Sequence, residues 1–221
     1  MSDPAAARWP SAAECLPVPW VDPPHPATLP VADFEPRVRW RFQRRSGPGG
    51  QHRNKVSTGA FATDAVTGLT VEATESRSQR TNRRRAQSRL RLALAVQRRT
   101  RPADPGKVAD GVAPGVATGV AAESAAGFAT GFADDAWLDR ASALRRKFGR
   151  RGLRINSESD DFASAIALLL DDLHRAGGQP SLVGPRWSVS TGAVLRLVRQ
   201  HPPAWALLTT IRHHHGRAAL R

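Results

Sequence analysis

Ser46-Gly47-Pro48-Gly49-Gly50-Gln51-His52-Arg53-Asn54-Lys55 sets the terms on which the rest of this 221-residue chain is read. Three glycines within four positions, with a proline among them, fit neither a helix nor a packed strand. Glycine serves where the backbone must take positive φ, or where another molecule comes close to the main chain. Arg44 and Arg45 precede the loop, and Arg53 and Lys55 close it. The segment therefore reads as bare backbone offered to an anionic partner. A plain surface turn explains a Gly-Pro-Gly run equally well, so the flanking sequence has to decide.

On the N-terminal side, Arg37 to Gln43 alternates strictly. Val38, Trp40 and Phe42 point one way, and Arg37, Arg39 and Arg41 the other, which is the period of a half-buried strand. Residues 57–63 and 69–73 predict two further strands joined by a turn at Thr67-Gly68. Gln79 to Arg99 predicts a helix. Ala86, Leu90, Leu94 and Gln97 share one stripe, with Leu92 and Val96 beside it. Arg80, Arg83, Arg84, Arg85, Arg89 and Arg91 occupy much of the remainder. The expected fold class is α+β, a small antiparallel sheet packed on one basic helix over residues 37–100.

Charge singles out the same segment. The formal net charge is +14. Arg37 to Arg101 holds 17 Lys and Arg against three acids, the equivalent of the whole surplus. A compact segment this basic has polyphosphate as its natural partner, and arginine suits it because its planar fork binds phosphate and stacks on bases. A membrane surface is the rival, but no long amphipathic helix with an aromatic face accompanies the charge. Cys15 is the only cysteine, which excludes disulfide frameworks and Cys-based zinc sites within one chain. No apolar run is long enough to span a bilayer, and no secretory signal is visible at the acidic N-terminus. A cytoplasmic protein is expected.

The remainder divides by composition. Residues 1–36 contain nine prolines and read as a loose, extended tail. Residues 101–133 are rich in Ala, Gly, Val and Thr and read as a flexible linker. Residues 134–221 read as a helical module, with helices over Asp134–Phe148, Asp160–Arg175 (capped by Ser159 and stopped at Gly177), Thr191–Gln200 (capped by Ser190) and Ala204–His213. Gly177-Gly178-Gln179 repeats the triplet of the first loop, but it follows a helix and lacks basic surroundings, so it reads as a helix stop. The spacing of the helices near 160–175 and 190–200 is compatible with helix-turn-helix, though packing alone gives the same pattern.

Taken in order from Val38 to Val96, the segment Ser46 to His52, Asn54-Lys55, Thr67-Gly68, Arg77-Ser78-Gln79, Asn82 and the basic helix closely resemble the GGQ domain of bacterial-type class I peptide chain release factors. The small stop-codon-independent rescue hydrolases share that domain. Ala60 and Ala62 stand where the family places larger β-branched residues, and Arg53 where an apolar residue is common. The resemblance implies hydrolysis of the ester that joins a nascent peptide to P-site tRNA on the large ribosomal subunit. It makes Gly49, Gly50 and Gln51 the catalytic triplet and Gln51 a candidate for N5-methylation. Ser46, Gly47, Pro48, His52, Asn54 and Lys55 would support the loop. Arg44, Arg45, Arg53, Arg77, Gln79, Arg80, Arg83 and Arg84 would meet rRNA, where phosphate contacts set affinity rather than specificity.

No Ser/His/Asp set, metal cluster or paired carboxylates accompany the loop, which fits the water nucleophile of the reaction the resemblance implies, and no cofactor is expected. The three adjacent histidines at 213–215 cannot all face one ion. His52 among cations is a poor general base. What the chain can add is a main-chain N–H aimed at charge developing in the transition state, which the resemblance assigns to Gln51. No codon-reading segment is recognisable. A rescue-type factor acting as a monomer is the first expectation, with the helical module and its last residues Arg212, His213, His214, His215, Arg217 and Arg221 as counterpart of the mRNA-channel extension. A codon-dependent release factor with an unrecognised decoding element, and a ribosome or RNA binder without catalysis, are the alternatives.

Overall fold

A computed structural model describes residues 10, 12–44, 57–101 and 134–220, the side chains of 134–136 excepted. In chain order the strands and helices are β1 (Trp20–Val21), α1 (Val31–Phe34), β2 (Val38–Gln43), β3 (Gly59–Asp64), β4 (Thr70–Ala73), α2 (Gln79–Gln97) and β5 (Arg99–Thr100). Then come α3 (Asp134–Arg150), α4 (Asp160–Arg175), α5 (Pro180–Arg186), α6 (Thr191–Arg199) and α7 (Pro202–His214). The class is α+β. The linker expected at 101–133 lies, from residue 102 on, outside the described residues.

Strands β2, β3 and β4 form an antiparallel sheet in that order. Trp40 pairs with Ala62 and Phe42 with Ala60, and across β3 these meet Val71 and Ala73. This row faces Ala86, Leu90 and Leu94 of α2. The alanines explain the departure seen in the sequence. Ala60, Ala62 and Ala73 are fully buried, and small side chains there let α2 approach the sheet. The stacked Trp40 and Phe42 rings of the neighbouring strand, 6.1 Å apart, supply volume instead. The β3–β4 turn is fixed by buried Asp64, which accepts from the Thr67 amide (2.9 Å) and hydroxyl (2.7 Å) and from Arg37 Nε (3.0 Å). Gly68 takes φ +71° there.

Helix α2 has a second apolar face. Leu92, Ala95 and Val96 pack with α4, the most buried helix of the chain. Leu168, Leu169 and Leu170 are within 1% of complete burial, which is worth about 2 kcal/mol for each such side chain removed from water. Arg91 corrects the sequence reading, which set it on the exposed face. It is buried, and its Nη2 donates to the carbonyls of Ala27 and Leu29 (both 2.9 Å). Gln97, expected on the apolar stripe, is exposed.

The proline-rich segment also departs from expectation. From Ala12 to Arg37 it is packed rather than loose. β1 pairs in parallel with β5, and His25 to Leu29 are buried between α2 and α4. The Ala27 carbonyl accepts from both Arg91 and Ser164. Prolines lower the entropic cost of ordering such a strap. His25 is fully buried. Its Nδ1 accepts from the Ala27 amide (3.1 Å), and its Nε2 lies 3.2 Å from the Arg98 carbonyl, so the ring is held neutral with the proton on Nε2. Burial pushes its pKa down to about 4.

In the helical module the expected helices are present, with α4 over the expected residues. The seven-residue α5 is an addition. The second Gly-Gly-Gln is a helix stop, as expected. Gly177 and Gly178 sit at φ +57° and +71°, and the Gly178 amide bonds back to the Leu173 carbonyl (2.8 Å). Arg217 and Arg212, expected to contribute to an RNA-facing end, donate to the Gly177 (3.0 Å) and Gly178 (2.7 Å) carbonyls.

Candidate nucleic-acid interface around the 44–58 loop

Strands β2 and β3 are hydrogen-bonded neighbours whose last matched pair is Gln43 with Gly59. The intervening loop therefore leaves and re-enters one end of the sheet. Ser46, Gly47, Pro48, Gly49, Gly50, Gln51, His52, Asn54 and Lys55, with Arg45 and Arg53, lie outside the described residues. Arg44, Ser57 and Thr58 are described, and they define the root.

The C-terminal root is held by the first turn of α2. Gln79 Nε2 donates to the Ser57 carbonyl (2.9 Å). Asn82, fully buried, donates through Nδ2 to the carbonyls of Thr58 (2.7 Å) and Ser76 (2.8 Å), and its Oδ1 accepts from the Ser76 amide (2.9 Å). Both donors and one acceptor site of the Asn82 amide are thus used. A buried carbonyl such as that of Thr58 would be costly to leave unpaired. Ser78 caps the helix by accepting from the Thr81 amide (3.3 Å). The Arg77-Ser78-Gln79…Asn82 stretch thus ties the helix start to the loop root. Gln79, expected at RNA, spends its side-chain amide on the chain itself.

The expected RNA-facing arginines separate into two groups. Arg44, Arg77, Arg80 and Arg84 are exposed and have no hydrogen-bond or ion-pair partner among the described residues. They surround the N-terminal end of α2, where the helix dipole adds about half a positive charge. Arg83, though exposed, is engaged by neighbouring side chains. It pairs with Glu35, which also accepts from Gln87 (3.0 Å), and its guanidinium lies 5.0 Å from the Trp40 ring centroid. On the outer sheet face Arg41 covers Phe61 at 4.9 Å. The sequence reading missed Glu35 as the partner of Arg83, because 48 residues separate them.

The arrangement can hold a loop at a fixed root beside a positively charged helix end. Its exposed cations suit a polyanion. Among the described residues no three His, Cys, Asp or Glu side chains are grouped to hold a metal ion, and no helix is long and apolar enough to cross a membrane.

Comparison with known proteins agrees with this geometry. Residues 34–113 match the RF-1 domain family. A peptide chain release factor homolog of Escherichia coli is 36% identical over 66 residues, 30% of this chain and 32% of its own. Peptide chain release factor 1 of Acidiphilium cryptum is 41% identical over 90 residues, 38% of this chain and 25% of its own. A chloroplastic peptide chain release factor of Arabidopsis thaliana is 47% identical over 55 residues, 25% and 12% respectively. The chain thus spans about a third or less of the length of these relatives. No solved structure gives a significant match. Through its RF-1 domain the chain is class I release-factor-like.

Proposed function

We propose that this protein hydrolyses the peptidyl-tRNA ester in the peptidyl transferase centre of the ribosome, in the cytoplasm, as a rescue-type factor that reads no stop codon. One observation carries the reading. The Gly-Gly-Gln loop of an RF-1 match is strung between two paired strands, and Gln79 and Asn82 hold its root beside the exposed arginines of α2.

The chemistry follows from what the loop contains. Water attacks the ester carbonyl, negative charge gathers on the tetrahedral centre, and the 3′ oxygen of the tRNA leaves. The Gln51 main-chain N–H donates to that charge, a kind of interaction whose removal costs about a hundredfold to a thousandfold in rate. Gly49 and Gly50 leave room for RNA to come close. The Gln51 side chain shapes the pocket for water and is the site for N5-methylation. Ser46, Gly47, Pro48, His52, Asn54 and Lys55 frame the loop, and Arg44, Arg45, Arg53, Arg77, Arg80 and Arg84 meet rRNA phosphates. Positioning, rather than a side-chain base, supplies most of the acceleration. No cofactor takes part, and the protein acts as a monomer.

Single-round peptide release from ribosomes stalled on truncated message tests the proposal. The protein should release peptide there, and an added stop codon should not raise the rate. Release only in the presence of a stop codon would replace the rescue reading with codon-dependent termination. Binding without release would remove catalysis.

A further inference from the structure

A second cluster of arginines lies outside the RF-1 match. Residues 140–157 hold seven cations and no acid. Three are used internally. Arg145 makes two bonds to buried Asp172 (2.8 and 3.1 Å), Lys147 pairs with Asp161 (2.8 Å), and Arg140 reaches the Thr28 carbonyl (3.5 Å). The other four, Arg146, Arg150, Arg151 and Arg154, are exposed and have no hydrogen-bond or ion-pair partner among the described residues.

The backbone beneath them is fixed. Helix α3 ends in a tight turn in which Gly152 and Leu153 both take positive φ, +60° and +55°. Leu153 is fully buried, which pins the loop and turns Arg151 and Arg154 outward on either side. At Gly149 a Cβ would stand 2.1 Å from the Trp187 carbonyl oxygen, so α3 lies directly against the corner between α5 and α6. Phe148 stacks on Trp187 at 6.5 Å. Arg196 of α6 joins the same loop by donating to the Gly152 carbonyl (3.4 Å) while staying exposed.

Helix termini favour basic residues at the C-terminal end, but the dipole presents only about half a negative charge there, and four unpaired guanidiniums far exceed it. The nearby acids do not cancel the surplus. Asp161 is taken by Lys147, Asp172 is buried under Arg145, Arg186 and the Trp187 indole, and Asp160 lines a small cleft with Ser88 and Arg91. Glu158 and Asp160 are the exposed acids adjoining the loop in sequence, two against the four unpaired guanidiniums. A membrane surface would call for apolar anchors, yet the exposed large hydrophobic residues described are Val31, Val66 and Leu138, all outside the cluster. An all-arginine cluster suits phosphate.

We propose that Arg146, Arg150, Arg151, Arg154 and Arg196 form a docking surface for the phosphate backbone of structured RNA, distinct from the 44–58 loop. The choice of RNA rests on the proposed function; the surface itself does not. It replaces the C-terminal residues as the RNA-facing part of the module, since Arg212 and Arg217 are committed to Gly178 and Gly177.

The test uses the full chain carrying Arg150→Gln, Arg151→Gln and Arg154→Gln together. Binding is titrated against an RNA hairpin, a DNA duplex of equal length and phosphatidylserine vesicles over a range of salt. Removing one phosphate-binding charge should flatten the log–log salt dependence by about 0.9 for a duplex. The triple variant should therefore flatten it by about 2 to 3 and bind the hairpin at least tenfold more weakly, with an unchanged melting midpoint. Should the triple variant fold poorly, Arg154→Gln and Arg196→Gln singly should each flatten the slope by about one. Unchanged slopes in folded variants would overturn the surface. Tighter binding to DNA or vesicles than to RNA would overturn the choice of partner. A wild-type protein that binds RNA here but releases no peptide would refute the hydrolase reading and leave this surface standing.

Discussion

Gly49-Gly50-Gln51 and Gly177-Gly178-Gln179 spell one triplet in two settings. The second is consumed by its own chain. Its glycines take left-handed φ to end α4, its carbonyls accept from Arg212 and Arg217, and a Cβ on Gly178 would stand 2.5 Å from Arg212 Cγ. The first is strung between the paired ends of β2 and β3, and the bonds of Gln79 and Asn82 reach Ser57 and Thr58, at its margin. The lesson is that a motif acquires its meaning from what satisfies the backbone around it. Where internal donors fill the carbonyls, glycines make a stop. At residues 49–51, under the proposed function, the same letters serve a partner.

Breaking the contrast outright calls for one backbone donor. Gln51→Pro should lower single-round peptide release by about a hundredfold to a thousandfold, whereas Gln179→Ala should stay within about twofold, as is usual away from the reacting atoms. Normal release by Gln51→Pro would refute the mechanism.

Acid should disturb the packed half first. His25 titrates near 6.5 when unfolded and near 4 when folded. Its neutral form is thus favoured by the fold, a contribution fully present above pH 6.5 and lost as the pH falls towards 4. The amount is on the order of 3 kcal/mol. Denaturant midpoints should fall steeply over that window, and His25→Gln should flatten the fall. An equal slope in the variant would assign the acid sensitivity elsewhere.

Gly178→Ala should cost about 2 kcal/mol through strain at positive φ and the clash with Arg212, measured as a lowered urea midpoint, with release per folded molecule unchanged. A stable Gly178→Ala protein would show that the stop tolerates a side chain. The smallest expected effect is Gln79→Ala. It should slow release by about threefold to tenfold at saturating protein, because a loosened root misplaces the loop. Loss of stability alone, with wild-type release, would reduce Gln79 to a structural residue.

Local periodicity and caps made much of this legible. The alternation of Val38, Trp40 and Phe42 marked the sheet face, and Ser159 and Ser190 marked two helix starts, each confirmed by a side-chain bond to the following turn. The failures are non-local. Arg91 looks like its exposed neighbours until the strap at Ala27 and Leu29 supplies acceptors more than 60 residues away. Extended proline-rich chain has no period that reveals packing. Helix α5 is short, begins with Pro180 and carries Gly184 and Pro185, so its composition reads as loop. At the site, the resemblance assigned Arg77, Gln79 and Arg80 to RNA, with bracing of the loop an equal reading of 77–82, and geometry shows that Gln79 and Asn82 bond to the loop root.

Helix α2 answers to two neighbours at once, the sheet through Ala86, Leu90 and Leu94 and the distal helices through Leu92, Ala95 and Val96. Severing the polypeptide after Arg101 would retain nearly all of the described residues that resemble release factors, yet strand Arg91 without Ser164 and Arg99 without Asp171. The portable unit is consequently larger than the recognisable one. Any transplant of the 44–58 loop into another scaffold must carry its far-side companions along, or rewrite that flank of the helix.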